Sequence, residues 1–161
     1  MDLLTTSKLA LEGGRPLRAR FLPYHQPFLG PEEEAEVLDT LRSGWLTTGP
    51  KSKAFERALA EYLGARHAVA MNSCTAALHV ALEAHDVGPG DEVITTPVTF
   101  ASTANVIVHC RATPVFVDVE ADTFTIDPKG IEAAITPRTK AIIPVHLAGL
   151  VCDMEAINAI A

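Results

Sequence analysis

Four consecutive polar side chains, Asn72, Ser73, Cys74 and Thr75, stand between a short apolar run, residues 69–71, and a stretch of helix formers, residues 76–82. A buried strand that turns sharply into a helix would place them, with the first backbone N–H groups, at a helix N-terminus. There the unpaired amides and the positive end of the macrodipole favour an anion, typically a phosphate. Asn, Ser and Thr are also the commonest N-caps, so the same residues serve an ordinary helix start. Cys74 sits where the dipole favours a thiolate, but no base motif accompanies it, and nucleophilic catalysis is not indicated.

A second candidate stretch is the loop 44–50, Gly-Trp-Leu-Thr-Thr-Gly-Pro, which holds the only tryptophan between two glycines and a proline. An indole beside Thr47 and Thr48 suits a polar ring such as a sugar or a base; a Trp that simply anchors a turn fits equally well. Further along, residues 95–100, Asp118 and His146 are polar or aromatic groups that fall where strands are expected to end.

The elements that must position these residues alternate. A helix is expected from Gly30-Pro31, where Pro opens the first turn and Glu32, Glu33 and Glu34 complement the dipole; Ala35, Leu38 and Leu41 form its inner stripe and Gly44 stops it. A second helix, 52–63, carries Phe55, Leu59 and Leu63 on one face and ends at Gly64. After the 68–82 strand and helix come a turn at 87–91, a strand at 92–95, a helix at 99–110, a strand at 114–119 and a loop at 123–128. A helix at 129–135, a strand at 141–145 and a helix from 153 complete the chain. Strands alternating with helices predict a parallel sheet covered on both faces, with its crevice at the strand C-termini. That places the corner 72–75, residues 95–100, Asp118 and His146 along one edge, and a phosphate-bearing ligand is expected there. Neither GxGxxG nor GxxxxGK[ST] is present, which disfavours a dinucleotide or a nucleoside triphosphate.

At 161 residues, 48% of them apolar, the chain is long enough for one domain with a real core. Its mean hydropathy of +0.19 suits a piece that buries surface against something else. The net charge of −7, without a Lys/Arg cluster, argues against nucleic acid. No run reaches the length of a membrane span and the first residues lack a signal-peptide pattern, so a cytoplasmic protein is expected. Cys74, Cys110 and Cys152 are odd in number and far apart, which indicates neither a zinc motif nor a disulfide framework; Cys110 and Cys152 read as small buried residues.

Four stretches then carry a resemblance: GWLTTGP at 44–50, GPGDEVI at 88–94, TPVFVDV at 113–119 and ITPRTKAIIPVH at 135–146. In order and spacing, from about Phe21 onward, the chain resembles the DegT/DnrJ/EryC1/StrS family of sugar aminotransferases, especially those that aminate nucleotide-linked 4-keto sugars. The resemblance implies the type I fold of pyridoxal 5′-phosphate enzymes and a homodimer with shared active sites. It implies that Cys74 and Thr75 hold the cofactor phosphate, that Phe100 stacks on the pyridine ring and that His146 lies near the ring oxygen. Thr47 and Thr48 would face the sugar, and an amino acid, usually glutamate, would be the amino donor. On this reading residues 1–20 are an N-terminal arm and 21–161 an incomplete large domain.

The family also needs a Schiff-base lysine and an acidic partner for the ring nitrogen. The resemblance implies that both come after residue 161, and none of Lys8, Lys51, Lys53, Lys129 or Lys140 lies in a matching motif. The chain is therefore expected to be an N-terminal portion, inactive alone and marginally soluble because its sheet lacks later strands. A dehydratase of the same family and a non-catalytic module remain alternatives.

Overall fold

The computed structural model describes residues 8–161. The chain divides into two compact units, one running to Arg66 and the other His67–Ala161.

In the first unit a 3-10 turn, Ala10–Glu12, precedes two helices, α1 (Pro31–Ser43) and α2 (Pro50–Leu63). Both begin with Pro at the first position and both end at a left-handed glycine, Gly44 at φ +71° and Gly64 at φ +63°. The Glu33 carboxylate accepts the Gly30 amide at 2.6 Å, so part of the acidic run caps the helix it opens. Lys51 ties α2 to α1: its ammonium meets the Glu36 carboxylate and lies 2.9 Å from Asp39. These contacts hold the Asp39 carboxyl below its ordinary range and raise Lys51. The expected inner stripes are not covered, since no residue of either helix is buried and Leu38, Leu41 and Phe55 are about half exposed. Periodicity identifies the apolar face of a helix, but burial requires a surface to lay it against.

The second unit is built on a three-stranded parallel sheet in the order β2-β1-β3, from β1 (Glu92–Thr95), β2 (Thr113–Phe116) and β3 (Thr139–Ile142). Its helices are α3 (Cys74–Ala84), α4 (Ser102–His109), α5 (Pro128–Ala134) and α6 (Met154–Ile160). Side chains alternate across a strand, so Val93 and Ile94, both fully buried, serve opposite faces. Val93 packs with Leu82 of α3 and with Val106, Ile107 and Cys110 of the α4 segment. Ile94 packs with Val117, Ile126, Ile131 of α5, and Cys152 and Ile157 of the α6 segment. The sheet is thus covered on both faces as expected, and Cys110 and Cys152 are buried as expected. Pro114 is accommodated because β2 is an edge strand.

The strand expected over residues 68–71 does not form: this run joins no sheet, and Val69 is 71% exposed. Apolar composition makes a run eligible for a strand, but a strand also needs a neighbour, and this run pairs with none of β1, β2 and β3. Several bounds also move. The helix expected from Thr99 starts at Ser102, because the Thr96 hydroxyl takes the Val98 amide at 3.2 Å and holds the intervening residues in a bend. β2 stops at Phe116, after which Val119 makes an isolated antiparallel bridge with Ile126. β3 runs from Thr139 rather than Ala141 and leaves the sheet after Ile143 donates to the Ile94 carbonyl at 2.8 Å.

The N-terminal end of β1 is latched to the entry of β3. Glu92, 7% exposed, accepts the Thr136 hydroxyl at 2.5 Å and the Arg138 guanidinium through Nε at 3.1 Å and a shorter Nη2 contact. The Thr136 hydroxyl, and then Arg138, hold the Glu92 carboxyl below its ordinary value. A lowered carboxyl contributes stability that is present above its unfolded value and lost as pH falls through the folded one. Glu92→Gln is therefore expected to lower Tm by about 5 °C at pH 7 and to flatten the acid limb of a Tm-against-pH series between pH 7 and 3. An acid limb as steep as the parent's would show that the latch does not contribute.

Candidate functional site

The corner at residues 72–75 is the start of α3, as its residue types suggested. Ser73 is the N-cap: its Oγ accepts the Ala76 amide at 3.1 Å and its carbonyl accepts the Ala77 amide at 3.1 Å. Those two bonds use the amides beyond the first positions and leave those of Cys74 and Thr75 at the helix end, without intrahelical acceptors. Cys74 is exposed and Thr75 half-buried. Ser73 thus realises the capping reading, and its two successors present N–H groups at the helix end. Ser73→Ala is expected to cost about 1 kcal/mol in urea unfolding followed by far-UV circular dichroism.

The connection from α3 to β1 sets where this helix start lies. α3 packs its Leu82 beside Val93 and returns through the turn at 87–91 directly into the N-terminal end of β1, so its own N-terminus lies toward the strand C-termini. Phe100 follows β1 at that same edge, ahead of α4, with its ring 79% exposed. Beneath it the chain is fixed. Thr95 and Thr96 are fully buried, the Thr95 hydroxyl donates to the Ile143 carbonyl at 3.0 Å, and Thr99 and Thr103 share a hydroxyl contact of 2.8 Å. Thr95 and Thr96 form a platform that was visible in the sequence only as two hydroxyl residues at a strand end.

His146 follows β3 at this edge as well. Its Nδ1 accepts the Cys152 amide at 3.2 Å, while the Cys152 thiol donates to the Val145 carbonyl at 3.2 Å. An Nδ1 that accepts leaves the neutral imidazole's proton on Nε2, the nitrogen away from that contact. Asp118 serves the backbone instead, accepting the Val119 amide on Oδ1 at 2.8 Å. The Cys110 thiol is pushed up, first by burial and then by the Glu83 charge.

Thr47 and Thr48 belong to the first unit. The Trp45 indole N–H donates to the Thr48 carbonyl at 2.9 Å, folding the loop over its own ring. Gly49 makes this possible, because a Cβ there would stand 1.9 Å from Trp45 Nε1. Thr47 lines a cavity of about 340 Å³ with Asp39, Trp45 and Lys51. Thr48 lines another of about 380 Å³ with Trp45, Lys53 and Arg57. Cys74, Thr75, Phe100 and His146 therefore share one sheet edge of the second unit, and Thr47 and Thr48 share one loop of the first. As a donor set, two helix-end amides, a hydroxyl, an exposed aromatic ring and an Nε2–H suit a phosphorylated aromatic ring.

The chain has relatives among known proteins. Residues 27–161 match the DegT/DnrJ/EryC1/StrS aminotransferase family. The chain is 60% identical over 144 residues to the spore coat polysaccharide biosynthesis protein SpsC of Bacillus subtilis, covering 89% of this chain and 37% of SpsC. Among solved structures it resembles Spr1654 from Streptococcus pneumoniae in its PLP-form, at 50% identity and a TM-score of 0.82, over 86% of this chain and 36% of that one. It also resembles NtdA from Bacillus subtilis with bound cofactor PMP, at 41% identity and a TM-score of 0.77, over 83% and 32% of the two chains. The chain thus spans about a third of the length of these relatives.

Proposed function

Because the chain belongs to the DegT/DnrJ/EryC1/StrS aminotransferase family, we propose that the strand-end edge of its second unit is the phosphate and ring side of a pyridoxal 5′-phosphate site. In this reading residues 1–20 are an arm and 21–161 the first part of a large domain. The intact protein moves an amino group from an amino acid, glutamate above all, to a keto carbon of a nucleotide-linked sugar, and works as a homodimer in the cytoplasm. The observation that carries this reading is the shared edge: the free first-turn amides of α3 and the exposed Phe100 ring at the end of β1.

When bound, pyridoxal phosphate supplies the electron sink for chemistry at the carbon bearing the amino group. This chain's residues bind and orient. The Cys74 and Thr75 amides and the Thr75 hydroxyl hold the phosphoryl oxygens, where the α3 dipole adds to each hydrogen bond. The Phe100 ring fixes the plane of the pyridine. His146, kept in one tautomer by the Cys152 amide, offers its Nε2 proton to the ring oxygen. Thr47 and Thr48 offer hydroxyls to the sugar. Two of the lysines are poorly suited to covalent attachment: Lys51 is an ion-paired ammonium whose pKa is raised, and Lys140 sits near the start of β3, at the end away from this edge. We infer that the 161-residue chain binds the cofactor without forming a lysine adduct and does not turn over alone.

The test is equilibrium binding of pyridoxamine 5′-phosphate to this chain, competed by inorganic phosphate, with a parallel sample incubated with the aldehyde, pyridoxal 5′-phosphate, and reduced with borohydride. Saturable, phosphate-competed binding without a borohydride-trapped lysine adduct is the expected result. Binding that ignores phosphate, or one specific lysine trapped in high yield, would overturn the assignment.

A further inference from the structure

We propose that His79, Glu83 and Cys110 form a divalent-metal site, suited to zinc, that ties α3 to the end of α4. His79 and Glu83 are one turn apart on α3, with His79 Nε2 3.5 Å from Glu83 Oε1. Cys110 is the residue that ends α4, and one donor atom from each of the three lies within 4.8 Å of the other two. A tetrahedral ion with bonds of roughly 2.0 to 2.3 Å needs its ligands somewhat closer than that. The contraction falls to the two exposed side chains, His79 at 39% and Glu83 at 61%, which swing over a thiol fixed by the core.

The donor set selects the metal. One imidazole, one carboxylate and one thiolate are the ligand types of zinc, whereas calcium and magnesium take oxygen alone. The His109 ring borders the cluster, its centroid 5.7 Å from that of His79, and the fourth position of the ion is left to solvent. The position also suits a cation, because Cys110 follows the last turn of α4, where the helix dipole is negative. Sequence spacing does not show this cluster. Its cysteine is 27 residues beyond Glu83, and only the packing of α3 on α4 closes the gap. The site uses none of the residues assigned to the cofactor. The competing account is an ordinary helical His–Glu pair beside a buried cysteine.

The two accounts separate on titrating the reduced, metal-stripped chain with Co²⁺ and then displacing the cobalt with Zn²⁺. The expected result is one equivalent of cobalt with intense tetrahedral bands and a thiolate-to-cobalt charge-transfer band, lost on adding zinc and insensitive to excess Mg²⁺. Cys110→Ser should abolish the charge-transfer band, and His79→Gln and Glu83→Gln should each weaken zinc at least about 10-fold. Cys74→Ser should leave the cobalt spectrum unchanged. His79 and Glu83 are partly exposed, so their variants keep the test decisive even if Cys110→Ser unfolds the chain. A spectrum without sulfur ligation, a band that follows Cys74, or zinc affinity indifferent to His79→Gln and Glu83→Gln would each overturn the site.

Discussion

Replacing Ile94 with alanine is expected to cost about 2 to 5 kcal/mol and to lower the Tm of the second unit by roughly 10 °C, read by thermal denaturation. Ile94 is fully buried on the middle strand, with β2 on one side and β3 on the other, so neither can shift to fill the space without breaking its ladder. Its neighbours Val117, Ile126, Ile131 and Ile157 come from four separate segments, and the cavity would loosen all of them. Leu38→Ala on α1 is the contrast. At 47% exposed it should change stability by less than about 0.5 kcal/mol, because that side chain already meets water. Equal losses from the two substitutions would mean that the alternation of Val93 and Ile94 across the sheet does not organise the core.

The second large effect concerns the proposed cofactor edge. Phe100→Ala removes a ring that makes little use of the core, since most of its surface is open. Its loss should weaken pyridoxamine 5′-phosphate by about 5- to 150-fold, the range for one aromatic stack worth roughly 1 to 3 kcal/mol. Thr75→Val keeps the shape but deletes the hydroxyl, and a hydrogen bond to a charged group is worth about 1.5 to 3 kcal/mol, so a comparable loss is expected. The two differ in one readout. Inorganic phosphate should compete as poorly for Thr75→Val as the cofactor binds, while its affinity for Phe100→Ala stays at the parent value. Titration calorimetry of each variant with both ligands distinguishes these outcomes, and parent-like binding by both variants would remove Thr75 and Phe100 from the site.

Much of this could be read in the residues because it is local. Pro31 and Gly44 bound α1 through one backbone requirement each, and β1 carries the bounds that its four residues suggested. Ser73 marks the start of α3 because a cap needs only the amides three residues on. The family itself is legible in short runs such as GPGDEVI, and residues 27–161 match it. What only the tertiary structure decided depends on partners far away in the chain. The run 69–71 has the composition of a strand and is not one, since pairing is a property of two segments. The stripes on α1 and α2 are real but uncovered, since burial is a property of two surfaces. Glu92 finds Thr136 and Arg138, Cys152 fixes the tautomer of His146, and Cys110 comes to stand beside His79 and Glu83. A sequence determines which groups seek a partner over the next few residues; which distant group answers is fixed by how helices and strands pack.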